Sequence, residues 1–318
     1  MRKGGLILLI FCLLGTVISA QQPEQYTQYL FNHYAINPAV AGSKPCTDIK
    51  LGYRRQWVGL DGAPEVSFFT FHKAIGKKNG IRQHWHGIGV YMFNEEIGAF
   101  GRQAVYPSYA FHVRLNRNLI MSTGAFLGFR RESFSGAGLV YPDLDDPTLG
   151  QGVAFFLYPE IHPGIWLYNK SFYTGISVRQ VFKNQLKQGG QQIGSPAGLP
   201  PHFYFTIGRQ IESQRYYYTY IPSVHVRYTA LWPPSIDANM LVFYKDVIGL
   251  GASYRLGDAV SAMMQLKLAK FVSVGYSYDY TTSKMRRISS NTHEIILSLT
   301  PCAKGRYPVK NQLCPAYN

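Results

Sequence analysis

The stretch RYYYTYIPSVHVRYT, Arg215 to Thr229, decides the fold. Its even positions are Tyr216, Tyr218, Tyr220, Pro222, Val224, Val226 and Tyr228; its odd positions include Arg215, Thr219, Ser223, His225 and Arg227. A period of two places these sets on opposite faces of a β-strand, one apolar and one polar. Phe271 to Thr281 repeats the pattern, with Val272, Val274, Tyr276, Tyr278 and Tyr280 against Ser273, Gly275, Ser277 and Asp279. It returns in Ile88/Val90/Met92, Val105/Tyr109/Phe111/Val113, Phe172/Thr174/Ile176/Val178 and Ile248/Leu250/Ala252/Tyr254.

Carried along the chain, the pattern predicts 14 strands: 47–57, 64–74, 85–95, 100–114, 118–131, 161–169, 171–181, 202–211, 215–229, 235–244, 246–256, 259–268, 271–281 and 292–299. The number is even, and most strands have the length a tilted strand needs to cross a bilayer. Asn116-Arg117-Asn118, Asn169-Lys170 and Gly257-Asp258 are turn-like, whereas Lys77–His84, Glu132–Tyr158 and Phe182–Pro201 are long. A soluble sandwich would bury the apolar face; a transmembrane barrel turns it to lipid and lines its lumen with the polar one. Gly and Ser on the polar face, tyrosines near strand ends and an export signal favour the barrel. The expected fold is all-β: a transmembrane antiparallel barrel of about 14 strands over residues 47–300.

The composition agrees. Of 318 residues only 15% are charged, against roughly 25% in soluble domains, while 15% are aromatic, which excludes disorder. Arg2 and Lys3 precede an apolar run from Leu6 to Val17, then Ile18, Ser19 and Ala20, so residues 1–20 read as a signal peptide cleaved after Ala20. Cys12 lies inside the run, which argues against a lipoprotein signal. No later stretch reaches 18 consecutive apolar residues, the length of a helical span. Export and barrel together predict the outer membrane. After residue 20 the chain has 30 basic and 17 acidic residues, net +13.

Residues 21–46 read as an N-terminal arm, one helical turn or extended, placed on the periplasmic side; 301–318 form a C-terminal tail. Three cysteines remain after cleavage, Cys46, Cys302 and Cys314. First and last strands of a closed barrel pair, which would bring Cys46 to Cys302 and pin arm to tail. Cys302 to Cys314 would instead staple the tail, and the sequence leaves both pairings open.

Little else suggests chemistry. His84-Trp85-His86 offers two imidazoles but no third ligand in reach. Asp143-Leu144-Asp145-Asp146 lacks the Gly and trailing Glu of a calcium loop. Neither a Gly-x-Ser-x-Gly elbow nor a phosphate loop occurs, and nothing in the spacing pairs His112, His225 or His293 with a serine. The expectation is a non-enzymatic protein with no catalytic, cofactor or metal residues. No basic run interleaved with stacking aromatics points to nucleic acid. The basic excess instead suits lipopolysaccharide phosphates or an anion-attracting lumen.

Several blocks resemble the PorP/SprF family. They are Gln28-Tyr29-Leu30-Phe31-Asn32, Asn37-Pro38-Ala39-Val40-Ala41-Gly42, Arg55-Gln56-Trp57-Val58-Gly59 and Gly62-Ala63-Pro64. Weaker matches follow in order: Gly87-Ile88-Gly89 with Asn94 and Ile97-Gly98, Tyr173 to Ser177, Tyr276 to Tyr280 and His293-Glu294-Ile295. The resemblance implies an outer-membrane barrel of the type IX secretion and gliding machinery of Bacteroidota. Its implied partners are periplasmic ring lipoproteins and large adhesins that carry a C-terminal sorting domain. The three-cysteine pattern and long tail match no motif of the family.

These blocks supply the candidate docking or structural residues Gln28, Tyr29, Phe31, Asn32, Asn37, Pro38, Gly42, Arg55, Gln56, Trp57, Gly59, Gly62 and Pro64. Asn37-Pro38 would aim the arm through a rigid turn. Trp57 would end the first strand at the membrane interface, and Gly59, Gly62 and Pro64 would shape the link to the second. Two other functions fit the same residues: a general porin for small solutes, and a surface β-sandwich adhesin.

Overall fold

A computed structural model describes residues 26–76, 84–135, 153–182, 187–188, 191–192, 200–213, 217–230, 232–289 and 291–301. The signal segment, the acidic loop at 143–146, Cys302 and Cys314 lie outside them. In chain order the strands are β1 (Asp48–Arg55), β2 (Glu65–Ile75), β3 (His84–Ile97), β4 (Phe100–Asn116), β5 (Leu119–Ser135), β6 (Val153–Tyr168), β7 (Phe172–Arg179), β8 (Lys187–Gln188), β9 (Gln191–Gln192), β10 (His202–Arg209), β11 (Ile211–Ser213), β12 (Tyr218–Thr229), β13 (Trp232–Tyr244), β14 (Ile248–Arg255), β15 (Ala259–Ala269), β16 (Val272–Thr281) and β17 (Asn291–Leu299).

Each long strand pairs antiparallel with its neighbours in sequence, β10 joins β7 to β12, and β1 pairs with β17 from Ile49↔Leu299 to Arg55↔His293. The result is a closed barrel of 14 strands, to which β11 adds one short extra strand on β12 and β8–β9 a separate two-residue pair. Closure leaves no sheet edge, the condition for a strand protein in lipid.

The burial pattern is inverted relative to a soluble sandwich. In β12 the outward set Tyr218, Tyr220 and Tyr228 is exposed, while Thr219, Ser223, His225 and Thr229 are buried. Ser277 and Asp279 of β16 are likewise buried beside an exposed Tyr276. The apolar face belongs to lipid and the polar face to the interior.

Several strand boundaries differ from the sequence reading. The long loop expected over Glu132–Tyr158 is shorter, because β5 runs on to Ser135 and β6 begins at Val153. Pro159 and Pro163 look like strand breakers, but that half of β6 is laddered to β5 while its pairing with β7 covers 164–168. A proline, lacking an N–H, is tolerated where one side needs no partner. The first strand also ends at Arg55, two residues short of Trp57. Trp57 turns into the left-handed region at φ 46°, which ends the extended backbone.

Candidate functional site

The largest departure from expectation is the arm. Its described part, from Tyr26, lies inside the barrel rather than on the periplasmic side: Tyr26 to Lys44 are all buried. A single helical turn, α1 (His33–Ile36), is followed by a 3₁₀ turn over Pro38–Val40. Asn37 organises the join: its Oδ1 accepts the Ala39 N–H at 3.0 Å, and Pro38 fixes φ at the first position of the turn.

A short polar segment cannot pair its own backbone groups, so a buried one must find partners on the wall. The arm does so around the circumference. Thr27 and Gln28 donate their N–H groups to Glu294 of β17 at 2.8 and 3.3 Å. The Tyr29 hydroxyl meets Ser223 of β12 at 3.1 Å and accepts from Asn239 of β13 at 2.6 Å. The Tyr34 hydroxyl lies 2.6 Å from Ser108 of β4. The Asn37 amide donates to the Ile165 and Ile176 carbonyls of β6 and β7 at 3.0 and 3.1 Å. Arg179 of β7 donates to the Ala35 carbonyl, Ser122 of β5 to Ala39 at 2.7 Å, and His112 of β4 lies 2.6 Å from the Ala41 carbonyl oxygen. Trp85 of β3 donates to the Gly42 carbonyl at 3.0 Å and stacks on His112.

Inward glycines make the fit possible. A Cβ at Gly164 would collide with the Asn37 amide, and one at Gly87 with the Ala41 carbonyl. A small cavity of about 10 Å³ lies against Tyr26 and Ile36 of the arm, and another of the same volume lies among wall residues around Glu160.

Charge is arranged as a latch at the arm's leading end. Arg54 of β1 reaches Glu294 and Asp279 at 2.9 and 2.8 Å and donates to Thr27 Oγ1 at 2.8 Å. Thr27 Oγ1 in turn donates to Asp279 at 2.5 Å. Where the arm meets β1, Lys44 and Lys50 both reach Asp48 at 2.5 Å. Between them His33 is enclosed by Tyr29, Trp166 and Tyr173. Burial first, then repulsion from His225, Lys50 and Lys44, holds its imidazole well below the ordinary range, so it is neutral.

The sequence candidates fall into two groups that the fold keeps apart. Gln28, Tyr29, Phe31, Asn32, Asn37, Pro38 and Gly42 belong to the arm and line its seat. Arg55, Gln56, Trp57, Gly59, Gly62 and Pro64 form the β1–β2 connection, at the end opposite the start of β1 and the finish of β17. There Gln56 N–H donates to Pro64 at 2.9 Å, Trp57 N–H to Thr292 Oγ1 at 3.2 Å, and Gly98 N–H to Gly62 at 2.9 Å. Arg55 pairs with Glu65 at 3.0 Å in the open. Cys46 is disulfide-bonded where the arm leaves the barrel.

The partners the sequence reading missed include Arg54, Asp279, Glu294, Trp85, His112 and Ser122, together with Ser108, Arg179, Ser223 and Asn239. Charged or aromatic residues on the polar face of a strand were the available signal. His112 and His225 serve the arm and the wall: His225 Nδ1 lies 2.9 Å from Thr206 and its ring packs on Tyr29. Among the described residues no set of three or more His, Cys, Asp or Glu could hold a metal ion.

Comparison with known proteins agrees with this architecture. A mutant of the monoaromatic hydrocarbon channel TodX lacking S2 and S3 superposes with a TM-score of 0.51 at 10% identity, over 85% of this chain and 93% of its own. The toluene transporter TbuX of Ralstonia pickettii gives 0.50 at 10% identity, over 84% and 93%. At such identity the likeness concerns the fold, that of an outer-membrane barrel. None of the curated proteins matches the chain. The family described as type IX secretion system membrane protein PorP/SprF matches residues 18–299, nearly the whole barrel together with its arm. The chain therefore belongs to the PorP/SprF family of type IX secretion system membrane proteins.

Proposed function

We propose that this barrel works as a docking component of the type IX secretion machinery rather than as a pore or an enzyme. The observation that carries the reading is the seated arm, hydrogen-bonded to strands around the circumference. A barrel occupied in this way has its two ends and its outer wall left to act with. A general porin would need an open lumen, and the arm opposes that.

Orientation assigns a role to each end. At the end where the chain enters and leaves the barrel, the connections 117–118, 169–171, 245–247 and 270–271 are short and 76–83 has eight residues; the opposite end has the short 98–99, 230–231 and 256–258 but also the three longest, 136–152, 180–201 and 282–290 together with 56–64. Outer-membrane barrels keep short turns in the periplasm and long loops outside. The end near Cys46 then faces the periplasm and would engage the ring lipoproteins. The 55–64 connection would face outward and hold adhesin-type cargo during export or attachment. A disulfide from Cys46 to Cys302 would tie arm and tail together on the periplasmic side.

The test is a mild-detergent pulldown of the tagged protein from its own outer membrane, read by mass spectrometry. Ring lipoproteins or a sorting-domain adhesin in the eluate support the reading. A barrel recovered alone from membranes that contain those proteins contradicts it.

A further inference from the structure

The surface charge of the barrel is polarised along its axis. At the end where β1 begins and β17 finishes, Lys73, Arg117, Lys170, Arg209, Lys245 and Lys270 are exposed, and Arg114 and Lys267 half-buried. Against these eight stand Glu212 and Asp246. None of the six exposed cations has a carboxylate partner among the described residues; Lys245 rests over Tyr217 and Tyr244 instead. At the opposite end charges of both signs mix: Arg55–Glu65 and Arg102–Glu95 are paired, Asp61 and Glu96 are exposed, and Lys284, Arg286 and Arg287 are exposed, Arg286 lying over the Tyr280 ring.

We propose that this basic collar is the docking surface for an acidic face of a periplasmic protein, an inference that rests on the orientation and docking role given above. Four of the exposed cations, Arg117, Lys170, Lys245 and Lys270, occupy strand-to-strand turns spread around the rim, not the lipid-facing wall. They present charge to the aqueous phase in a ring, which suits a broad partner surface better than single lipid headgroups. Lipopolysaccharide phosphates, on the other leaflet, lie out of its reach. Complementary fields of this kind steer encounter and set specificity, and they weaken as salt shortens the screening length.

The test uses the full-length protein extracted from its own membrane, with R117E/K170E/K270E as the variant and R117K/K170R/K270R as the charge-preserving control. Heat-modifiable migration on gels checks that each barrel is folded. The wild type and control are expected to retain acidic periplasmic proteins that dissociate between about 0.1 and 0.5 M NaCl, and the reversal variant to retain less than about a tenth as much. Equal retention by the folded reversal variant, or capture insensitive to salt, overturns the collar while leaving the docking role standing. Unchanged protein capture with loss of co-purified anionic phospholipid would make the collar a lipid site and also overturn it. A wild type that captures no periplasmic protein removes both readings.

Discussion

Arg54 and Glu294 lie 2.9 Å apart on the neighbouring strands β1 and β17, and the same carboxylate receives the Thr27 N–H of the arm at 2.8 Å. The pair that helps close the barrel therefore also holds its contents. Removing one member leaves the other buried without its counter-charge, a cost of about 3–5 kcal/mol. Arg54→Ala should close as a barrel, since the backbone ladder is untouched, yet release the end of the arm. The check is proteolysis of purified protein, with cleavage within 26–32 in the variant and not in the wild type.

Asn37 makes a second, independent anchor. Asn37→Ala loses two hydrogen bonds to wall carbonyls and its cap on Ala39. Buried groups left unpaired cost about 1–3 kcal/mol each, so thermal unfolding should move to lower temperature. The Gly164→Ala variant should show the same defect from the other side, because the new Cβ takes the space of the Asn37 amide. Combining the two should cost less than the sum, since both damage one contact. A fully additive pair would separate Gly164 from the arm.

His33 gives a pH dependence. Its folded pKa is depressed by burial, so the folded state keeps it neutral while a released arm would protonate near pH 6.5. The released form then binds more protons. Seating is fully stable above about pH 6.5 and weakens as pH falls below it. A His33→Phe variant, which cannot protonate, should lose part of this acid sensitivity when arm proteolysis is followed from pH 7.5 down to pH 5, the remainder coming from the other imidazoles packed on the arm, such as His72 against Tyr34 and His225 against Tyr29.

Trp57 tests the opposite end. It is half-buried in a connection with its own backbone hydrogen bonds, remote from the collar. Trp57→Ala should leave folding and periplasmic capture unchanged and reduce co-purified adhesin cargo several-fold. Unaltered cargo would make the aromatic a scaffold residue.

The barrel was legible because its signal is local: Tyr216 to Tyr228 alternate whatever the rest of the chain does. The position of the arm was not. Gln28, Tyr29 and Asn37 are each held by two polar contacts to residues more than a hundred positions away, and no periodicity encodes those. A polar, tyrosine-rich segment reads the same in water as in a polar lumen. The start of β6 was hidden by Pro159 and Pro163, whose acceptability depends on the neighbouring strand being shorter. Trp57 was misplaced because only its positive φ separates it from the strand, and an indole carries no hint of that. The latch could have been suspected from Asp279 and Glu294 on lumen-facing strands, but not its partner across the barrel seam.

Ion conductance across planar bilayers tests the central claim most directly, comparing the purified wild type with a variant lacking residues 26–43. An occupied lumen predicts no sustained open-channel current from the wild type and stable ohmic steps once the arm is gone. Steady porin-like conductance from the intact protein would contradict it.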